Sequence, residues 1–424
     1  MKLNTKKDFF YFYNLPVFLF SLLPIFLITG PFLSDLTVSL IGLLFIIYCF
    51  KKKNFSYFHN KYFYFFLVFW IYLVLNSLIN NFNLTSLKIS FFYFRYGVFV
   101  IAIATLLEFN DKFKKYFFYC IFFSFTILII DGFYQYFIGE NILGWKTNTK
   151  FRVSSLFGKE LILGSYLSRM WPIFFGLSIF FMKKKKSVLF FLFILIFILS
   201  EVLIFLSGER ASFFFINLSA IFIILLSNKL YKLRLITLLS SLIILIIISF
   251  FNPIAKERII DTTLEQMNLD RKNKEGHQSI YIFSEQHTHH YLSAYKMFLD
   301  NKFFGVGIKN FRNFCDDKSY KISSLSCSTH PHNTYVQILS ETGIIGFLFL
   351  IFILFYFCKH IFNHLCYKLK RKNYFTDFEI CLLSAIAIYL WPFAPTGNIF
   401  NNWLNIILIL NLPFLIWKKK LASK

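Results

Sequence analysis

The segment His330-Pro331-His332-Asn333-Thr334 places an imidazole at the start of a predicted apolar helix. Pro331 disfavours helix before it, and the side chain of Asn333 or Thr334 is suited to cap the helix that follows. A histidine beside a helix N-terminus lies near positive partial charge, which lowers its pKa and keeps the imidazole neutral. Because neutral imidazole accepts protons, His332 is a candidate general base. The alternative is an ordinary loop histidine whose nitrogens are satisfied by hydrogen bonds.

Charged side chains within or beside apolar segments are a second group of candidates, because an ion in a bilayer is costly and tends to be functional or paired. Arg95 and Arg169 lie in helices predicted to enter the membrane from outside, and Glu209 and Arg210 follow at a short external turn. Further acidic groups toward the outer side are Asp131, Glu201 and Glu341. We predict that these charges converge on an outward-facing cavity. Two alternatives stay open: Arg95 extends its head group to the interface, or Arg169 forms a structural ion pair with Glu201.

A histidine cluster at His287, His289 and His290 invites a metal site, but it lacks nearby cysteine and its i, i+2, i+3 spacing matches no closed zinc site. We therefore predict no metal. The sequence shows no glycine-rich phosphate loop, paired nucleotide motif or serine–histidine–aspartate arrangement, so no cofactor is predicted either.

Composition indicates that a membrane positions these residues. The chain of 424 residues is 57% hydrophobic and only 16% charged, a balance typical of membrane proteins. The formal charge of +24 could suggest nucleic acid, but the Lys and Arg residues stand in short clusters between apolar runs. Such clusters are typical of cytoplasmic loops, so no nucleic-acid partner is predicted.

Runs of roughly 20 apolar residues span a bilayer, and their number predicts an all-α polytopic membrane protein with about twelve transmembrane helices. They lie near 11–29, 32–50, 62–80, 91–108, 116–138, 161–181, 187–207, 211–227, 233–251, 334–357, 376–392 and 400–417. Basic clusters separate alternate runs, at Lys2, Lys6, Lys7, 51–53, 112–115, 183–186, 229–234, 359–372 and 418–420. By the positive-inside rule, both termini are predicted to be cytoplasmic.

The predicted chain organisation has three parts: nine helices in 1–251, a large external loop subdomain in 252–333, and three helices in 334–424. Of the seven cysteines, only Cys315 and Cys327 fall in the exported loop. We predict a disulfide between them, which would stabilise the loop by about 3 kcal/mol in the chain-entropy model. Two free thiols are the alternative.

The run His332-Asn333, nine residues, Gly343, two residues and Gly346 resembles the signature of the O-antigen ligase and polymerase superfamily at every specified position. Other stretches similar to that family are Tyr134-Gln135-Tyr136-Phe137 with Gly139, Phe157-Gly158, Leu163-Gly164-Ser165, 207–212 and Phe304-Gly305-Val306-Gly307. The resemblance extends from about the fourth to the tenth predicted helix. It is strengthened by the helix number and by the single large loop between helices nine and ten.

This resemblance implies metal-independent, inverting transfer of a glycan from an undecaprenyl diphosphate carrier, on the periplasmic face of a bacterial inner membrane. It places the essential histidine at His332 and an essential arginine at Arg210, where a guanidinium group would stabilise the departing diphosphate. The acceptor expected of a ligase is lipid A-core, and an O-antigen or capsule polymerase is the close alternative. A lipid-glycan flippase or transporter is a weaker alternative, because no repeated halves are visible.

One feature departs from the family pattern. Many members carry a further arginine in the long loop, and the comparable stretch here is His289-His290-Tyr291-Leu292-Ser293-Ala294. Arg258, Arg271 or Arg312 could take its place, and Arg312 is favoured because it closely follows Gly307. The predicted substrate-binding residues are therefore Arg95, Arg169, Arg312, Glu209 and Asn333.

Overall fold

The computed structural model describes residues 10–80, 83–147, 152–180, 188–251, 257, 261–267, 281 and 284–422. The predicted basic clusters at Lys2, Lys6, Lys7 and 183–186 lie outside the described residues, as do Arg258 and Arg271.

The first part of the chain is a series of apolar helices. They are α1 (Leu15–Thr29), α2 (Pro31–Lys51), α3 (Lys61–Ile79), α4 (Leu84–Phe92), α5 (Phe94–Phe109), α6 (Lys114–Ile138), α7 (Leu163–Ser178), α8 (Val188–Leu206), α9 (Arg210–Leu226) and α10 (Tyr231–Phe251). Their long apolar runs form helices because only a helix satisfies its own backbone groups away from water.

The loop and the C-terminal part are also helical. In the loop lie α11 (Thr262–Gln266), α12 (Glu285–Asp300) and α13 (Phe311–Phe314). After it come α14 (Thr334–Leu369), α15 (Asp377–Leu390), α16 (Asn402–Ile409) and α17 (Leu412–Ala422). Helix α14 is longer than the predicted span 334–357, and the last predicted span is divided between α16 and α17. The only β pairing among the described residues is one bridge between Glu140 and Lys146.

The prediction of an all-α polytopic membrane protein is confirmed. Within the described part of the chain, seven helical segments are long and apolar enough to cross a membrane: Phe10–Thr29, Pro31–Lys51, Lys61–Ile79, Leu84–Phe109, Lys114–Ile138, Tyr231–Phe250 and Thr334–Leu369. Shorter apolar helices cover Phe190–Leu206, Arg210–Leu226 and Asn402–Trp417. Every predicted run contains helix, and the total of twelve crossings stays a prediction.

The centre of the helical bundle is α7, in which every residue except Ser165 is buried. It packs against α15, α9 and α8. Aromatic rings fill this core, for example Trp171 stacked on Phe175 with centroids 4.6 Å apart. Large apolar side chains such as Phe137 and Phe355 are exposed on the outside. Helices that are apolar both toward the core and toward the outside of the bundle are typical of membrane-spanning helices.

Helix α14 is interrupted at Gly343, whose φ of 64° and ψ of −169° lie outside the helical region. The backbone of the external loop fills the gap with three hydrogen bonds, from Val306 N to Ser340 O, from Gly307 N to Glu341 O and from Ile344 N to Lys302 O. The Tyr72 hydroxyl donates to the freed Thr342 carbonyl. The signature glycine at 343 therefore opens the helix for the loop.

Candidate active site

His332 lies immediately before α14, on the loop side of the bundle. The side chain of Asn333 caps this helix by accepting hydrogen bonds from the backbone of Tyr335 and Val336. Its amide nitrogen donates to Pro392 O at 2.8 Å, and Thr396 N donates to His332 O at 2.8 Å. His332 itself has a φ of 58°, an uncommon value for a residue with a side chain. The turn between α15 and α16 thus holds the backbone that carries the imidazole.

Three other histidine rings surround His332. The ring centroid of His332 lies 4.1 Å from that of His330, 5.4 Å from that of His290 and 5.5 Å from that of His287. His287 and His290 both lie on α12, which packs against α14. We call these four residues the histidine cluster.

Sequence reasoning missed this cluster because it grouped His287 and His290 with His289 as a metal alternative. The useful signal was their i, i+3 spacing, which puts two side chains on one face of a helix. His289 instead contacts Ser323, with 2.8 Å between His289 Nδ1 and the hydroxyl oxygen. Among the described residues, no group of three or more His, Cys, Asp or Glu side chains has an arrangement that could hold a metal ion.

Hydrogen bonds distinguish His332 from its neighbour His330. Nε2 of His330 lies 3.2 Å from Thr396 O, and its Nδ1 lies 2.9 Å from the Thr329 hydroxyl oxygen. A carbonyl only accepts, so His330 carries its proton on Nε2, and both its nitrogens are engaged. His332 is engaged at Nε2 alone, 3.0 Å from the Ser328 hydroxyl oxygen, and no described residue bonds its Nδ1. His332 therefore has a nitrogen available for proton transfer.

The cluster is electrically neutral near pH 7. Burial and the nearby His290 lower the pKa of His332 to about 4, from an ordinary 6.5. Burial and the neighbouring His332 lower the pKa of His330 to about 3. The sequence analysis attributed a low pKa of His332 to the nearby helix N-terminus. In the structure, the main cause is burial of the ring away from water.

Arg210 is the first residue of α9 and reaches the same region. Its guanidinium group donates to the Thr263 hydroxyl at 3.3 Å and to the Gln266 side chain at 2.6 Å, which links α9 to α11. The pKa of His287 is lowered to about 4 by burial, then by His332, His290 and the Arg210 charge. His287 therefore lies within electrostatic reach of both Arg210 and His332.

Arg312 lies in α13, close enough to the cluster to affect His330. It donates from Nη2 to Thr329 O at 3.1 Å, and its charge contributes to the lowered pKa of His330, after burial and His332. The carboxylate of Glu341 accepts from Phe311 N at 3.2 Å and so holds the start of α13. Of the three loop arginines considered, Arg312 is the described one, and it lies next to the predicted site.

Arg169 lies deeper in the bundle, beneath the same turn. Its guanidinium group lies between the rings of Phe215 and Tyr389, at 5.0 and 5.5 Å from their centroids, and donates to Ser165. It lines a small cavity together with Thr334, Thr396, Asn398 and Asn405. Arg169 and residues of the turn that holds His332 therefore share one cavity wall.

In a comparison with protein families, residues 192–351 match the family described as O-antigen ligase. This part of the chain is similar to that family. The predicted resemblance to the O-antigen ligase and polymerase superfamily is therefore confirmed. No curated protein matches the chain.

The matched region, residues 192–351, contains Arg210, Arg312, the whole histidine cluster and the break at Gly343. Arg95 and Arg169 lie outside it. Arg95 forms an ion pair with Asp35, 2.6 Å from Nη2 to Oδ1, and also contacts the Tyr96 hydroxyl. The Arg95 side chain therefore links α5 to α2 by an ion pair.

Two acidic residues of the matched region have structural partners. Glu201 pairs with Arg234 and accepts from the Ser241 hydroxyl, so the alternative pairing of Arg169 with Glu201 is wrong. Glu209 accepts from the backbone N–H groups of Gly164 at 2.7 Å and Ser165 at 2.9 Å. Its carboxylate thus satisfies the orphan donors at the start of α7.

A disulfide joins Cys315 to Cys327 in the loop, with Cα atoms 5.0 Å apart. The described free cysteines are Cys49, Cys120, Cys358, Cys366 and Cys381. The bond ties the end of α13 to the segment that precedes His330 and His332.

Proposed function

We propose that this protein is an O-antigen ligase-like glycosyltransferase of the bacterial inner membrane. It moves a glycan from an undecaprenyl diphosphate carrier to a lipid A-core acceptor at the periplasmic face. The family match supports an enzyme of the ligase or polymerase type that acts on lipid-linked glycans. The donor, the acceptor and the face of the membrane are our proposal.

The observation that carries this proposal is the geometry of His332: the imidazole is half-buried, Ser328 contacts one nitrogen, and no described residue bonds the other. Burial also lowers its pKa to about 4, which favours the neutral form. The acceptor hydroxyl transfers its proton to His332 while its oxygen attacks the anomeric carbon. The bond between that carbon and the diphosphate oxygen breaks, and the diphosphate leaves with the bonding electrons. Attack opposite to the leaving group inverts the anomeric configuration.

Negative charge accumulates on the leaving diphosphate, and two arginines near the cluster are placed to stabilise it. Arg210 approaches the cluster from α9 and Arg312 from α13. Guanidinium groups held in place by hydrogen bonds can stabilise developing negative charge with little reorganisation. The proposed step uses side chains alone, so transfer is expected to continue in the presence of a metal chelator.

The proposed topology follows from the basic clusters: cytoplasmic termini, and 252–333 in the periplasm. Phosphatase fusions in that loop should be active, and fusions at 183–186 inactive. The reverse pattern would contradict a periplasmic site.

The test of function is a lipopolysaccharide gel of a strain that lacks this protein. Loss of every capped species, with polymer accumulating on the lipid carrier, is the result expected for a ligase. Core carrying a single repeat would assign the protein as a polymerase, which uses the same donor leaving group and a glycan acceptor. An unchanged gel would contradict both.

A further inference from the structure

The partner of the His332 imidazole is Ser328. Its hydroxyl oxygen lies 3.0 Å from Nε2 of His332, and this is the one hydrogen bond that the described residues make to the ring. In metal-binding and catalytic histidines, the bond to one nitrogen decides which nitrogen carries the proton and how the ring is oriented. Ser328 is therefore placed to decide which atom of His332 is basic.

The backbone around Ser328 is anchored on both sides. The preceding residue, Cys327, is bonded to Cys315. The carbonyl of the following residue, Thr329, accepts from Arg312 at 3.1 Å. Because the backbone is held on both sides of Ser328, the hydroxyl oxygen of Ser328 has a defined position. A residue that orients another side chain requires this.

Neighbouring rings restrict the plane of the His332 ring but leave open which way round its two nitrogens face. The planes of His332 and His290 differ by 24°, and the ring of His330 lies at 4.1 Å on a 40° tilt. Neighbouring rings restrict the plane of an imidazole, but they do not distinguish Nδ1 from Nε2. A directional bond to one nitrogen makes that distinction.

We propose that Ser328 is a positioning residue that accepts a hydrogen bond from Nε2–H of His332 and so leaves Nδ1 as the basic atom. This inference rests on the proposed function of His332. Once Nδ1 takes the proton of the acceptor hydroxyl, the ring is cationic and its bond to Ser328 becomes charge-assisted and stronger. Ser328 then stabilises the protonated base without touching the substrate.

The kinetic test uses the full-length protein purified in detergent. The donor is the lipid-linked glycan extracted from the strain that lacks this protein, and the acceptor is rough lipopolysaccharide from that strain. Ser328→Ala should lower kcat about tenfold or more while KM changes little, because ring orientation serves the proton transfer. Ser328→Thr keeps the hydroxyl and should recover most of the rate.

Ser323→Ala is the matched control, since Ser323 makes the equivalent contact to His289 at 2.8 Å, away from the His332 ring. It should leave kcat near the wild-type value. Equal losses in Ser323→Ala and Ser328→Ala would show general loop damage and overturn the proposal. Wild-type kcat in Ser328→Ala would also overturn it.

A second measurement does not depend on turnover. In protein labelled with ¹⁵N-histidine, the resonances of His332 are identified by their loss in His332→Gln. The wild type should show the proton on Nε2, and Ser328→Ala should show a mixture of tautomers. A proton on Nδ1 in the wild type would mean that the serine donates to Nε2, and the proposal would be wrong.

The two proposals fail in different ways. Normal turnover in His332→Gln rejects the proposed catalytic function, whatever the tautomer. Loss of turnover in His332→Gln, combined with a normal rate and an unchanged tautomer in Ser328→Ala, rejects the Ser328 assignment alone.

Discussion

The ring of His332 lies against the ring of His290, with centroids 5.4 Å apart and planes only 24° from parallel. His290 is buried, and its pKa is lowered, mainly by that burial. A charge on either ring would be poorly solvated and would repel a charge on the other. Burial, with a smaller contribution from His290, therefore favours the neutral form of His332, which leaves a proton acceptor available well below pH 7.

The first prediction concerns the pH dependence of transfer. Protonated His332 cannot accept a proton, and its pKa is lowered to about 4 from 6.5. We expect kcat/KM to stay nearly constant from about pH 7.5 to about pH 5.5 and to fall only as the pH approaches 4. His290→Ala removes part of the cause of that lowering, so it should move the acidic limb to higher pH. An acidic limb near pH 6.5 in the wild type would contradict the buried, neutral base.

The second prediction is that His332→Ala lowers kcat by about 10²- to 10⁴-fold, the usual contribution of a general base. Transfer assays with lipid-linked donor and rough acceptor measure it. His289→Ala is the control, because its ring contacts Ser323 and not the His332 ring. A rate in His332→Ala within twofold of the control would reject the assigned base.

The third prediction separates charge from geometry at Arg210. Arg210→Ala should lower kcat by about 10²- to 10³-fold, as loss of one transition-state donor does in other enzymes. Arg210→Lys should recover little, because an ammonium group lacks the planar fork that binds two phosphate oxygens. Single-turnover assays can measure both variants. Full activity in the lysine variant would show that a point charge suffices.

The fourth prediction concerns the break in α14. A Cβ at Gly343 would collide with the carbonyl of Phe303, and its φ of 64° is already unfavourable for alanine. Gly343→Ala should therefore lower the melting temperature in detergent and displace the external loop. The matched control is Gly144→Ala, where φ is 79° but nothing lies within 4 Å of the added carbon. Equal melting temperatures in the two variants would show that the collision is relieved elsewhere.

The fifth prediction is that Cys315 and Cys327 are linked in protein isolated from membranes. Mass spectrometry of unreduced peptides should find the pair joined. Replacing both by serine should destabilise the loop by about 3 kcal/mol, since a short closed loop is freed in the unfolded chain. Recovery of both residues as alkylatable thiols would contradict the bond.

Several properties of this protein are local and could be predicted from the sequence. Apolar runs of membrane length become helices because a chain in lipid must satisfy its own backbone. The cap at Asn333 depends on one side chain and the two N–H groups that follow it, so the start of α14 was predictable. The ligase signature is likewise a spacing within a single stretch of chain.

Other properties depend on how distant segments pack, and only the tertiary structure decided them. The rings of His287 and His290 meet His332 because α12 lies against α14, which no spacing along the chain specifies. The partner of Glu201 is Arg234 on a different helix, so the alternative pairing of Glu201 with Arg169 is wrong. Burial lowers the pKa of His332 more than its neighbours do, and burial is set by everything that packs around the ring.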